Sequence, residues 1–137
     1  MSNSTDFIIG FDPGRQKCGI AVMRADRQVV YHQVVPSEEA IATIQSLCQK
    51  FPIHQLVIGD QTSSKTWKQQ LASVLNPSLS LIMVDERYST LEARDRYWQM
   101  YPPKGLLRFL PKGMRQPPRP IDDIVAIVLI ERYLAKK

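Results

Sequence analysis

Phe7-Ile8-Ile9-Gly10-Phe11-Asp12-Pro13-Gly14 is the stretch that sets the fold: an unbroken apolar run that ends on an acid and a turn. Such a run suits a central strand covered on both faces, and Asp-Pro-Gly is turn chemistry, so Asp12 is expected at the strand's exit. Working outward, residues 18–23 (CGIAVM) and 29–35 (VVYHQVV) read as two further strands joined by the polar residues 24–28. The start of the chain is therefore expected to be a three-stranded antiparallel meander.

After Pro36, Ser37 is placed to cap a helix whose Ile41, Ile44, Leu47, Cys48 and Phe51 recur along one face. Residues 56–59 (LVIG) resume a strand that ends at Asp60. Trp67, Leu71, Val74 and Leu75 mark a second helix, which Asn76-Pro77 stops. Residues 79–84 (LSLIMV) form a strand running into Asp85-Glu86-Arg87. Ser89 to Glu92 then has the Ser-x-x-Glu spacing of a capping box for a third helix ending near Met100. Residues 101–120 contain six of the ten prolines and five Lys/Arg without one acidic residue, which is the composition of a loop. A last helix begins around Ile121, with Asp122 and Asp123 at the positive end of its dipole, and is apolar on nearly every face, so it must be covered. The order is β-β-β-α-β-α-β-α-α. Right-handed crossovers place strands four and five beyond strand one. The expected fold is a single α/β domain over 1–137, with a mixed five-stranded sheet (three antiparallel strands, then two parallel) flanked by helices.

The chain of 137 residues is long enough for one three-layer core, and its 44% apolar and 23% charged residues are ordinary globular composition. A net charge of +5 and a pI near 9.4 draw polyanions, nucleic acid foremost. Cys18 and Cys48 read as buried thiols of a reducing compartment. The first residues show no basic leader before a long apolar run, and no window reaches bilayer length. A soluble cytoplasmic protein is expected.

Four acidic positions stand where chemistry is feasible: Asp12 after strand one, Asp60 after strand four, Glu86 after strand five, and Asp122 or Asp123 opening the last helix. Each also has a plain structural reading, as a turn residue, a solvated charge or a partner of the helix dipole. Asp60 reads first as a cap for the Trp67 helix and second as a fourth ligand. Together the acids offer hard oxygen donors of the kind Mg²⁺ or Mn²⁺ requires. A pair of such cations about 3.5–4 Å apart can supply the nucleophile and steady the leaving oxygen of phosphodiester cleavage.

Residues 8–22 (IIGFDPGRQKCGIAV), 84–93 (VDERYSTLEA) and 121–134 (IDDIVAIVLIERYL) resemble the signature blocks of the YqgF/RuvX family, the Holliday junction resolvases and pre-16S ribosomal RNA processing nucleases of the RNase H-like superfamily. The first block is also similar to RuvC resolvases in its Asp-Pro-Gly. The resemblance implies an RNase H-like fold, with Asp12, Glu86 and Asp122 as the catalytic acids and metal ligands. Asp123 is the neighbour that a one-residue error of alignment would substitute. It also implies a basic residue near Lys17. The chain departs from the family at Gly59-Asp60-Gln61-Thr62, where a Gly-Leu-Pro-like turn is usual, and in a longer Pro-rich insert, which leaves substrate choice open.

Arg15, Lys17, Arg87, Lys104, Arg108, Lys112 and Arg115 are the candidate phosphate contacts, with Tyr101 and Phe109 as rings able to stack on unpaired bases. Trp98, seven residues after Leu91 on one helical stripe, reads as packing, and His32 and His54 read as structural, since no spacing suggests a zinc site. The expected function is a Mg²⁺- or Mn²⁺-dependent endonuclease with a two-metal site, acting on branched DNA or structured RNA. A homodimer is the simplest arrangement for cutting a symmetric four-way junction. The alternative is a non-cleaving nucleic-acid- or ribosome-binding module on the same fold, which would keep its metal affinity, if any, after Glu86→Gln. A fragment of an actin-like ATPase is set aside, because that chemistry needs a second domain.

Overall fold

The computed structural model describes residues 6–60 and 63–136, with Lys112 described through its backbone alone. Gln61, Thr62 and the first five residues, which entered the readings above, lie outside the described residues. Strands β1 (Phe7–Asp12), β2 (Lys17–Arg24) and β3 (Val29–Pro36) form the meander. Helix α1 (Ala40–Lys50), strand β4 (Ile53–Gly59), helix α2 (Ser64–Val74) and strand β5 (Ser80–Val84) follow. Helices α3 (Ser89–Met100) and α4 (Asp122–Ala135) close the chain on either side of the Pro-rich segment.

The sheet order is β3-β2-β1-β4-β5, antiparallel across β3, β2 and β1 and parallel across β1, β4 and β5, as expected. Side chains alternate across β1 because a strand has period two. Ile9 and Phe11 join Ile44, Leu47 and Leu71 of α1 and α2 in the core on one face. Ile8, Ala21 and Met23 meet α4 on the other. The residues from Ile124 to Ile130 are all buried, since α4 lies between the sheet and α3, whose Ala93 and Tyr97 close its outer side. Each such side chain fully removed from water contributes roughly 1.5–3 kcal/mol, so α4 is the centre of the fold and not a peripheral helix.

Two glycines set how closely α4 approaches. A Cβ on Gly10 would stand 2.3 Å from the Ala126 carbonyl oxygen, and one on Gly19 would stand 1.8 Å from the Asp122 carbonyl oxygen. Gly19 pairs with Asp12 across β1 and β2, so the two residues share a face of the sheet. The first turn of α4 is thereby seated beside the side chain of Asp12.

Three expected caps are differently employed. Ser37 opens a short 3-10 turn, and its hydroxyl donates to Gly14 O at 2.7 Å, holding the Asp-Pro-Gly loop. Ser89 is the first residue of α3 and buried, while Tyr88, in the left-handed region at φ 63°, takes the capping position without a side-chain bond. Helix α2 has Ser63 before it, and Asp60 serves elsewhere, as described below. For Ser37 and Asp60 a tertiary partner outcompetes the local backbone for the side chain. The segment 101–120 contains two 3-10 turns, Gly105–Phe109 and Lys112–Met114. Cys48 is only half-buried, against the expectation of a buried thiol, and no helix among the described residues is long and apolar enough to cross a membrane.

Gly19→Ala is expected to cost about 1–3 kcal/mol or more, because the added methyl meets rigid helix backbone and not a flexible side chain. Gly113→Ala, which meets nothing within 4 Å, is expected to stay within about 0.5 kcal/mol of the parent. Urea unfolding of both variants checks the pair, and equal stabilities would contradict this seating of α4.

Candidate active site

The three strand ends that carry acids lie along one edge of the sheet because β1, β4 and β5 are parallel, and β2, being antiparallel to β1, begins there with Lys17. Over this edge sits a cavity of about 360 Å³ whose walls include Asp12, Gly14, Lys17, Glu86, Ser89 and Asp122. Asp12, Glu86 and Asp122, from three distant stretches of chain, therefore face one space. Among the described residues no three His, Cys, Asp or Glu side chains are already grouped to hold a metal ion. The carboxylates share a cavity and not a closed coordination shell.

Their electrostatics suit a cation. Burial pushes the Glu86 carboxyl above its ordinary range, and Asp60 and Asp85 push it further against the opposing Arg132. Burial likewise raises Asp122, with Lys17 pulling it back and Asp123 adding to the rise. Asp122 Oδ2 is buried without a hydrogen-bond partner. An unpaired buried oxygen of this kind is costly, and a hard divalent ion satisfies it with the donor type such ions take. The residues present fit a metal of the Mg²⁺ or Mn²⁺ class.

Asp123 is turned the other way. Its Oδ2 accepts from His32 Nδ1 at 2.7 Å, and its Oδ1 accepts from Arg119 Nη1 at 3.0 Å and from the Ile124 amide at 3.0 Å. Burial alone would raise this carboxyl, yet the bonds from His32 and Arg119 bring it below the ordinary range. Adjacent residues on α4 thus diverge. Asp122 lines the cavity and keeps one buried oxygen unpartnered, and Asp123 is satisfied away from it.

Several supports were not legible in the sequence. Arg132, one helical stretch away on α4, forks its guanidinium across the Asp85 carbonyl at 2.7 Å and the Arg87 carbonyl at 2.6 Å, and also pairs with Glu92. It fixes the turn that presents Glu86. Asp60 is neither a helix cap nor part of the cavity wall. Its Oδ1 accepts the Glu86 amide at 3.2 Å, which ties the ends of β4 and β5 together. Gly59 leaves room for the Glu86 carboxylate, whose Oε2 would stand 2.6 Å from an added Cβ, and the buried Ser64 hydroxyl donates to the Gly59 carbonyl. Their sequence positions were on view, Arg132 within the 121–134 block and Asp60 as a candidate acid, but only contact geometry shows these roles.

Of the basic candidates, Lys17 lines the cavity. Arg15, Arg87, Lys104 and Arg108 are exposed, and the Lys112 side chain lies outside the described residues. Arg115 is employed within its own loop, donating to the carbonyls of Leu107, Leu110 and Arg108 at 3.1, 2.9 and 3.1 Å. A separate groove of about 370 Å³ between α3 and α4 is charged as well, but its Arg96 pairs with Glu131 and its Arg132 with Glu92. Paired charges of this kind leave little to bind a ligand.

Residues 6–136 match the RuvX family, described as Holliday junction resolvase. A protein of Flavobacterium johnsoniae named "Putative pre-16S rRNA nuclease" is 26% identical over 142 residues, covering 95% of this chain and 96% of its own. Among solved structures, Thermus thermophilus RuvC in complex with a Holliday junction substrate superposes with a TM-score of 0.58 at 15% identity, covering 95% of this chain and 94% of that one. A second Thermus thermophilus RuvC structure gives a TM-score of 0.55 at 13% identity, covering 95% of each chain. These likenesses bear on the fold alone, which is the RNase H-like arrangement expected from the blocks around Asp12, Glu86 and Asp122. The extent of the family match carries the remaining step: this chain belongs to the RuvX family of Holliday junction resolvases.

Proposed function

We propose that this protein is a divalent-metal-dependent endonuclease that hydrolyses phosphodiester bonds in structured nucleic acid, with Asp12, Glu86 and Asp122 as the acids that hold the metal. The observation that carries the reading is the convergence of these three carboxylates on one cavity, with Asp122 Oδ2 buried and unpartnered. Bound there, a pair of Mg²⁺ or Mn²⁺ ions supplies charge stabilisation and an activated water.

The chain's own part is placement. Asp12 presents its carboxylate from a rigid strand end, Asp122 from a helix seated on Gly19, and Glu86 from a turn clamped by Arg132 and Asp60. Lys17, at the cavity wall, attracts the scissile phosphate, while Arg15, Arg87, Lys104 and Arg108 hold neighbouring phosphates as point charges. With its two thiols free, the protein works in the cytoplasm. The family description and the RuvC complex favour branched DNA, and two copies of the chain would present paired cavities to a symmetric junction. The F. johnsoniae relative favours precursor 16S ribosomal RNA.

A cleavage panel of four-way DNA junctions and precursor ribosomal RNA, run with Mg²⁺, Mn²⁺ or chelator, is expected to show metal-dependent cutting that Asp12→Asn lowers by at least about a thousandfold. Binding without cutting under every condition would sink the enzymatic reading and leave a nucleic-acid-binding module.

Glu86 and Asp122 hold their protons more tightly folded than unfolded. Their contribution to stability is therefore complete below the unfolded carboxylate range and is lost as pH rises through their raised values. At neutral pH, Glu86→Gln is expected to raise the Tm of the metal-free protein by on the order of 1–3 °C while weakening its affinity for Mn²⁺. A lower Tm with unchanged Mn²⁺ affinity would contradict the assignment. Arg132→Lys keeps the charge but not the fork, and is expected to lower kcat about tenfold with nucleic-acid affinity retained. Steady-state kinetics beside a binding titration checks this.

A further inference from the structure

The Pro-rich segment 101–120 is fastened at both ends to one imidazole–carboxylate pair. His32, on β3, and Asp123, on α4, are 91 residues apart and meet at 2.7 Å with the carboxylate buried. An ionised carboxylate only accepts, so Nδ1 of His32 is the donor. The other ring nitrogen, Nε2, shares a hydrogen bond of 3.0 Å with the hydroxyl of Tyr101, the first residue of the segment. Arg119, one residue before its end, bonds the second oxygen of Asp123 at 3.0 Å, and its guanidinium lies 5.5 Å above the Tyr97 ring. The loop stems are thus joined through two side chains that do not belong to the loop.

What is fastened is a cationic and apolar arm. Leu106, Phe109 and Met114 are 85%, 71% and 64% exposed, and Arg108 lies 4.9 Å over the Phe109 ring. Arg115 organises the arm internally, and the Trp98 indole donates to the Arg115 carbonyl at 3.4 Å. The fastening itself is open to solvent: a cavity of about 300 Å³ lies against His32, Arg119 and Asp123, and Tyr101 is 42% exposed. The Tyr101–His32 bond has water as a competitor and can exchange, while Asp123 stays buried with α4. On the helix, Asp123 takes the clamp and the preceding Asp122 faces the acidic cavity.

We propose that His32 is a positioning residue: through Tyr101 and Asp123 it holds the basic arm in register with the Asp122 side of the cavity, so that nucleic acid bound by the arm is delivered to the three acids. This rests on the nuclease reading given above. The clamp acts on substrate capture and leaves the chemistry untouched.

Tyr101→Phe deletes only the hydroxyl. His32→Asn keeps a donor near Nδ1 for Asp123 but cannot reach Tyr101. Each is expected to raise KM for structured nucleic acid about three- to tenfold, the worth of one such hydrogen bond, with kcat within about twofold of the parent. Each is also expected to speed trypsin cleavage after Lys104 and Arg108 by a similar factor, and the double variant to add nothing beyond either single change, as residues of one chain of bonds do. Trypsin sensitivity equal to the parent's, or effects that simply add, would overturn the clamp, as would equal losses in KM, kcat and Tm. Should the parent protein cut no nucleic acid, the nuclease reading fails while the trypsin comparison still decides the clamp.

Discussion

The close seating of the first turn of α4 on the sheet is the constraint on which the rest depends. Gly19 has no side chain, and the Asp122 carbonyl occupies the space where one would be. Because Gly19 pairs with Asp12, this single contact brings the first and last of the three cavity acids to the same edge. The parallel arrangement of β1, β4 and β5 supplies the third, since Glu86 leaves the sheet at that edge too. The apolar run from Ile124 to Ile130 supplies the binding energy for the seating, and the glycines set its distance.

The same constraint concentrates unfavourable electrostatics. Glu86 and Asp122 are held where burial opposes their charge, and Asp60, Asp85 and Asp123 oppose it further. A structure selected for stability alone would place a lysine or an amide at one of these positions. Asp123 shows what such relief looks like, since two donors satisfy it and keep it ionised. The contrast between neighbouring residues on one helical turn separates a carboxylate committed to structure from one held for a ligand. Local rules of this kind are broken at functional sites and compensated elsewhere.

The parts of this arrangement that depend on periodicity were legible in the sequence. Alternation and apolar runs marked the five strands, the buried last helix and the strand ends at Asp12 and Glu86. The parts that depend on long-range partners were not. Ser37, Ser89 and Asp60 each fitted a capping rule, yet Gly14, the cavity wall and the Glu86 amide claimed them instead. His32 read as an isolated structural histidine because its partner lies 91 residues onward. Arg115 read as a phosphate contact, but three loop carbonyls lie within its reach. Arg132 was given no role in a helix apolar on nearly every face, and it is the residue that steadies the Glu86 turn. A side chain's type shows what bonds it can make, and only the folded neighbourhood shows which of them it makes.

The central claim is that Asp12, Glu86 and Asp122 form one cation site. Anomalous diffraction from crystals soaked in Mn²⁺ tests it without reference to any substrate. The account predicts manganese peaks in the cavity, within about 2.5 Å of carboxylate oxygens from all three residues. Manganese bound only at Asp123, at the α3–α4 groove or at scattered surface acids, with the cavity holding water alone, would contradict it.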